Sequence, residues 1–178
     1  MSSKDTIQSI RRQCLHPSIN ATKVVRRGME IVEKVGATFW MESQDISEFK
    51  DFDKEELTPY FNMFLPQVPS LCKEFERDKF SRRLLIQFPR EYHYNQNENM
   101  VPCMESILLL FDEDYSHQAV VNIRSSDITR LSCDLGIINH LIYQLTENHF
   151  KIKSSTKKMF IQIGSLHEYT NVDKKEGL

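Results

Sequence analysis

Between Ser81 and Asp127 the chain gathers a thiol, three arginines and two hydroxyls at what its apolar runs mark as strand ends. Cys103 directly follows Pro102, whose ring fixes its own φ, and leads into Ser106-Ile107-Leu108-Leu109-Leu110-Phe111, a run short and apolar enough for a buried strand. Ser81-Arg82-Arg83 precedes the strand-like Leu84-Leu85-Ile86-Gln87-Phe88, and Val120-Val121-Asn122-Ile123 ends in Arg124-Ser125-Ser126-Asp127. Guanidinium forks and serine hydroxyls at strand ends suit a phosphate monoester, because the planar fork donates paired hydrogen bonds and never loses its charge. The same positive field would favour the thiolate of Cys103, the nucleophilic form of cysteine. These residue types point to a phosphate-anchored substrate facing a cysteine. Taken singly, each has a plainer reading: a cysteine packs as a small hydrophobe and Arg-Arg stands as a solvated pair. The order and spacing carry the case.

The elements that must position these groups follow from pattern. Asp112-Glu113-Asp114-Tyr115-Ser116 reads as a hairpin connection, and an antiparallel return brings Cys103 and Arg124 to the same end of the sheet. Asp134 to Glu147 carries Leu135, Ile138, Leu141, Ile142 and Leu145 at helical spacing, and Met159-Phe160-Ile161-Gln162-Ile163 is a last strand delivering Gly164 to Tyr169. Upstream, Thr6 to Leu15 reads as a short amphipathic helix stopped before His16-Pro17. After a Pro17 to Asn20 loop, Thr22 is placed to cap a second helix, with Val25, Met29, Val32 and Val35 on its apolar side and Glu30 and Glu33 riding on it. Glu42 to Glu56 is an acidic, solvated segment interrupted by Ile46, Phe49 and Phe52, and Tyr60 reads as packing. Pro69-Ser70 opens a helix with Leu71 and Phe75 on one face. Phe88 to Val101 is a turn-rich loop beside Cys103, and Asn171 to Leu178 a frayed tail.

Composition narrows the class. A chain of 178 residues is long enough for one domain with a sizeable core. A formal charge of -2 and a pI near 6.3 argue against a general nucleic-acid binder, which needs a basic face to displace counterions. Cys14, Cys72, Cys103 and Cys133 are scattered without metal-ligand spacing, as in a reduced, cytoplasmic protein that holds no metal. The polar N-terminus lacks a signal core and no segment approaches about 20 apolar residues, so no membrane role is expected.

Four motifs stand in the order of the thymidylate synthase and deoxycytidylate hydroxymethylase family. Asp78-Lys79-Phe80-Ser81-Arg82-Arg83 resembles the family's Asp-Pro-x-Ser-Arg-Arg, and Pro102-Cys103 its Pro-Cys-His nucleophile. Arg124-Ser125-Ser126-Asp127 resembles its Arg-Ser-x-Asp, and His167-Glu168-Tyr169 its His-x-Tyr. The resemblance covers residues from about 70 to 170 and implies a single α/β (α+β) domain over the whole chain, in three layers with a large mixed sheet flanked by helices. It implies that Cys103 adds to C6 of a pyrimidine nucleoside monophosphate, activating C5 towards the methylene carbon of 5,10-methylenetetrahydrofolate. It also implies that Arg124 and Ser125 hold the phosphate, that His167 and Tyr169 hold the sugar 3'-hydroxyl, and that Asp127 faces the folate ring. Arg82 and Arg83 then reach the phosphate of a neighbouring subunit, which makes the protein an obligate homodimer. Glu33, at the family's spacing from Thr22-Lys23, is the candidate for the glutamate that manages protons; a solvent-facing helix glutamate is its plain alternative.

The departures from the family shape the expectation. Met104 stands where the family has histidine. Residues 128 to 134 depart from Phe-Leu-Gly-x-Pro-Phe-Asn, and with a one-residue deletion Asp134 falls at the asparagine. An aspartate there suits cytosine, as in the hydroxymethylase branch; the alternative is that Asp134 caps the helix that follows. The chain also stops shortly after Tyr169, without the family's closing tail, and a site open to water favours hydroxymethylation over methylation. A competing expectation is a nucleotide-binding homologue without catalysis, acting as an accessory subunit.

Overall fold

The computed structural model describes residues 2–15, 21–26, 29–50, 52–89 and 103–170. The Pro17 to Asn20 loop, most of the loop expected between Phe88 and Val101, and the tail from Asn171 lie outside these. Helix α1 (Ser3–Leu15) turns Thr6, Ile10, Cys14 and Leu15 inward at helical spacing. A reciprocal pair starts it: Asp5 N–H donates to Ser2 Oγ at 3.3 Å, and Ser2 N–H donates back to Asp5 Oδ2 at 3.1 Å.

The expected second helix is replaced by strands β1 (Thr22–Arg26) and β2 (Met29–Glu42), paired antiparallel with Thr22 opposite Glu33. Val24, Val25, Ile31, Val32 and Val35 are β-branched and suit a pleated surface better than a helix. Glu33 is therefore a strand residue, and it is buried.

The acidic segment is not simply solvated. After the single turn α2 (Ser43–Ile46), Ile46 and Phe49 enter the core, and Asn139 Nδ2 donates to their carbonyl oxygens at 3.3 and 3.1 Å. Asp53 caps α3 (Lys54–Phe64) by accepting from Glu55 N–H at 2.8 Å. A short 3-10 turn leads into α4 (Val68–Arg77), which buries Val68, Leu71 and Phe75.

Strands β3 (Leu85–Gln87), β4 (Met104–Phe111) and β5 (His117–Asp127) follow, then α5 (Leu131–Tyr143) with a wide turn at Gln144–His149, and β6 (Thr156–Tyr169). Among the described residues the six strands form one mixed sheet in the order β1-β2-β6-β5-β4-β3. Only β5 and β6 run parallel, and α5 supplies the crossover that a parallel pair requires. Ile107, Leu109, Val121, Ile161 and Ile163 from the sheet form one core with Leu135, Ile138, Leu141 and Phe64 from the helices. Among these residues no helix is long and apolar enough to cross a membrane.

The sheet carries a crease. In-out alternation fails at Glu105-Ser106 in β4, Arg124-Ser125 in β5, Gly164-Ser165 in β6 and Lys34 to Gly36 in β2, where Gly36 has φ +66°. In β4, β5 and β6 the break shifts which side chains face inward, from Met104 to Ile107, Ile123 to Ser126 and Ile163 to Leu166, whereas β2 keeps Ile31, Glu33 and Ala37 inward and exposes Val35. Here the breaks lie side by side, because Ser125 pairs with Ser165 and Val35 with Ser165.

At the other end of the sheet, His117 is buried with Nδ1 2.6 Å from Ser154 Oγ and Nε2 2.8 Å from Thr156 Oγ1. Burial lowers its pKa to about 4, opposed by the nearby Asp112 carboxylate. The unfolded chain then takes up a proton below pH about 6.5 that the folded chain refuses until about 4. Stability falls as pH drops through this window, by roughly 3 kcal/mol at full effect. His117→Gln should flatten the decline in urea midpoint between pH 7 and 4.5; equal slopes for variant and wild type would remove His117 from the acid response.

Candidate functional site

Cys103 sits at the foot of β4, where the hairpin brings it beside Arg124. Arg124 N–H donates to the Cys103 carbonyl at 2.7 Å, and its guanidinium Nη2 lies 3.7 Å from Sγ. The expected approach of thiol and arginine is thus present. The expected ionisation is not: burial raises the thiol's pKa, and the charge of Asp134 adds to it, against the opposing pull of Arg124 and Arg130. Desolvation outweighs two guanidinium groups, so the resting residue is the thiol.

Behind Cys103 the carboxyl of Asp134 accepts from Ser126 Oγ at 2.7 Å. Asp134 lies in the first turn of α5, but the N-cap position is Arg130, and its side chain makes no cap bond. The carboxyl therefore turns to the sheet and does not cap the helix. Burial raises its pKa to about 6, partly offset by the Ser126 hydroxyl and Arg130 and reinforced by Glu56 and Asp127. Met104, the next residue, is buried in the core and contributes no polar side chain.

Past the crease, β6 places His167 between Glu33 on β2 and Asp127 on β5. Ser165 Oγ donates to Glu33 Oε1 at 2.5 Å. Tyr169 stands edge-on to the His167 ring at 5.3 Å, and His167 Nδ1 is buried without a hydrogen-bond partner among the described residues. Asp127 Oδ1 accepts from both the N–H and the hydroxyl of Thr129 at 2.9 Å. Ser125 lies half-buried opposite Ser165. Gly164 permits the close packing here: a Cβ would stand 2.7 Å from the Arg124 carbonyl oxygen. Beside it an open depression of about 220 Å³ is lined by Glu105, Asn122, Ile123, Arg124, Gln162 and Gly164.

Arg82 and Arg83 do not join this group. They are exposed, and the antiparallel pairing of Leu85 with Leu108 puts them at the opposite end of β4 from Cys103. At 3.3 Å per residue the separation along the strand is roughly 20 Å. Three arginines therefore do not converge within one chain.

The site also takes in Tyr60, read from the sequence as packing, with Glu56, Arg130 and Cys133, to which that reading gave no role in the site. Tyr60 Oη accepts from the N–H groups of Cys103 at 3.0 Å and Met104 at 3.5 Å. Arg130 Nη2 pairs with Glu56 Oε1 at 2.5 Å, and the Cys133 thiol donates to Glu56 Oε2 at 3.1 Å. Burial pushes the Cys133 thiol up to about 11, which leaves it unreactive near neutral pH. Only the i, i+4 spacing of Glu56 and Tyr60, one face of one helix, hinted at their shared duty. Compared with known proteins, the chain matches no family model and no curated protein.

Proposed function

We propose that this protein is a C5 hydroxymethyltransferase or methyltransferase for a pyrimidine nucleoside 5'-monophosphate, built as a divergent thymidylate synthase-like domain. The observation that carries the reading is the Cys103 thiol held against Arg124 with the carboxyl of Asp134 buried behind it. Arg124 and Ser125 hold the phosphate, and His167 and Tyr169 hold the sugar. The Cys103 thiol first gives up its proton to water, the resulting charge being met by the Arg124 guanidinium, and the sulfur then bonds to C6 as the 5,6 double bond opens. C5 thereby becomes the nucleophile and bonds to a one-carbon unit. Its hydrogen leaves as a proton and the carrier amine departs, giving an exocyclic methylene. That methylene takes up water in hydroxymethylation or a hydride from the tetrahydrofolate in methylation, and loss of the C6–S bond restores the ring. Methylenetetrahydrofolate, when bound, supplies that unit at the oxidation level of formaldehyde. Asp127 at the same end of the sheet suits its ring N–H groups. Glu33, buried beside His167, takes the place of a proton-managing carboxyl.

Cytosine is the favoured base and hydroxymethylation the favoured outcome, because an ionised Asp134 accepts from an exocyclic amine and is repelled by the uracil carbonyl. The homodimer reading draws on the position of Arg82 and Arg83, too far along β4 from Cys103 to reach the site of their own chain. It draws also on the outer sheet face, where Trp40 is 59% exposed and packs on Phe160 at 4.6 Å.

The raised pKa of Cys103 favours one alternative, a nucleotide-binding homologue without catalysis. Incubation with [5-³H]dCMP or [5-³H]dUMP, formaldehyde and tetrahydrofolate separates the two. Tritium release with dCMP in excess of dUMP is expected; nucleotide binding without release from any pyrimidine would favour the binding protein.

A further inference from the structure

We propose that Tyr60 is the positioning residue for the Cys103 thiol, holding the foot of β4 where the β3 ladder has run out. The ladder between β3 and β4 closes with Gln87 opposite Ser106 and Phe88 N–H donating to Glu105 O at 2.9 Å. The next residue, Pro89, has no N–H to extend it. Two residues below that point, the N–H groups of Cys103 and Met104 both go to one phenol oxygen. A buried N–H needs an acceptor, and here a helix side chain supplies it in place of a strand carbonyl.

Tyr60 is itself fixed. It is buried, and its ring meets Phe88 edge-on at 5.4 Å and 87°. One turn earlier on α3, Glu56 holds Arg130 and Cys133 at the start of α5. A single helix face therefore anchors the backbone of the thiol-bearing residue and the helix that carries Asp134. With two N–H groups on its oxygen, the Tyr60 hydroxyl keeps its own hydrogen to donate. Burial, reinforced by the Asp134 carboxylate and opposed by the two backbone N–H groups, holds that hydroxyl in its protonated form. This inference deepens the reading of Cys103 as a nucleophile and rests on that reading only where turnover is measured.

Tyr60→Phe keeps the ring and removes the acceptor. In the folded variant the Cys103 amide should exchange with deuterium faster, and the thiol should move towards solvent. Alkylation of Cys103 by iodoacetamide, resolved by mass spectrometry, should rise on the order of 10-fold at pH 8, with its pH midpoint shifted down. Turnover should fall by on the order of 10- to 100-fold in kcat with KM little changed, because a misplaced thiol still leaves the phosphate ligands intact. Buried Cys14 in the same digest is the folding control. If Cys14 becomes reactive too, the variant has unfolded, and site-specific 3-fluorotyrosine at position 60 decides; this weaker acceptor of nearly the same shape should move the Cys103 profile in the same sense. A Cys103 pH profile that superimposes on wild type, in either folded variant, overturns the proposal. Absence of turnover in the wild type would count against the C5 chemistry and leave the alkylation result to judge Tyr60.

Discussion

On the proposed mechanism Cys103→Ala should abolish release of the C5 hydrogen, on the order of 10⁴-fold or more, while nucleotide affinity should stay within a few-fold of wild type. The size follows from the chemistry: without a sulfur at C6 the ring offers no nucleophilic carbon, and no other group beside Arg124 among the described residues replaces a covalent step. Affinity should survive because the proposed phosphate ligands Arg124 and Ser125 are untouched; the 3.7 Å contact from Arg124 to Sγ is lost, but its backbone bond to residue 103 remains. Cys133→Ala is the matching control. Its thiol is spoken for by Glu56 and its pKa lies near 11, so rates should not change. Tritium release that persists in Cys103→Ala would sink the covalent mechanism, whatever the substrate.

Asp134→Asn should change base preference and stability together. An ionised carboxylate accepts from the amino group of cytosine, whereas an amide can turn to donate to the uracil carbonyl and accept from its ring N–H. Leaving a buried group opposed costs roughly 1 to 3 kcal/mol, which amounts to a shift on the order of 10- to 100-fold in the ratio of dCMP to dUMP affinity. Wild-type preference for dCMP should strengthen as pH rises through about 6, where Asp134 ionises; the variant should show no such step.

The stability effect has the opposite sense to that of a salt-bridged carboxylate. Because the folded value of about 6 lies above the ordinary one, the folded chain keeps a proton between pH about 4 and 6 that the unfolded chain has lost. Stability therefore declines as pH rises across that window, and the full penalty stands above it. Asp134→Asn should raise stability at pH 8 by roughly 1 to 3 kcal/mol, with the gain vanishing near pH 4. Isothermal titration with both nucleotides and urea melts at the two pH values measure the pair. An unchanged affinity ratio would take Asp134 out of base recognition; an unchanged urea midpoint at pH 8 would show that the ionised carboxylate carries no burial penalty.

Local signals determined the parts of this protein that depend on neighbours in the chain. The apolar run after Cys103, the acidic turn at 112–116 and the run before Arg124 specify a hairpin, and antiparallel return alone brings thiol and arginine together. Helices α1 and α4 were legible for the same reason, since their apolar spacing and starting residues are written in consecutive positions. The Thr22 to Val35 stretch was not legible. Its apolar residues recur at three to four positions, and the in-out alternation that would mark a strand is interrupted at Val35, next to Gly36 with its φ of +66°. Burial of Asp134 and the grip of Tyr60 on the Cys103 backbone join residues far apart in the chain, so only the packing of α3 and α5 against the sheet decided them. Arg82 and Arg83 sit at the wrong end for one chain because β3 runs against β4. Where a strand's first residues fall is a property of its partner, which a motif read by itself does not contain.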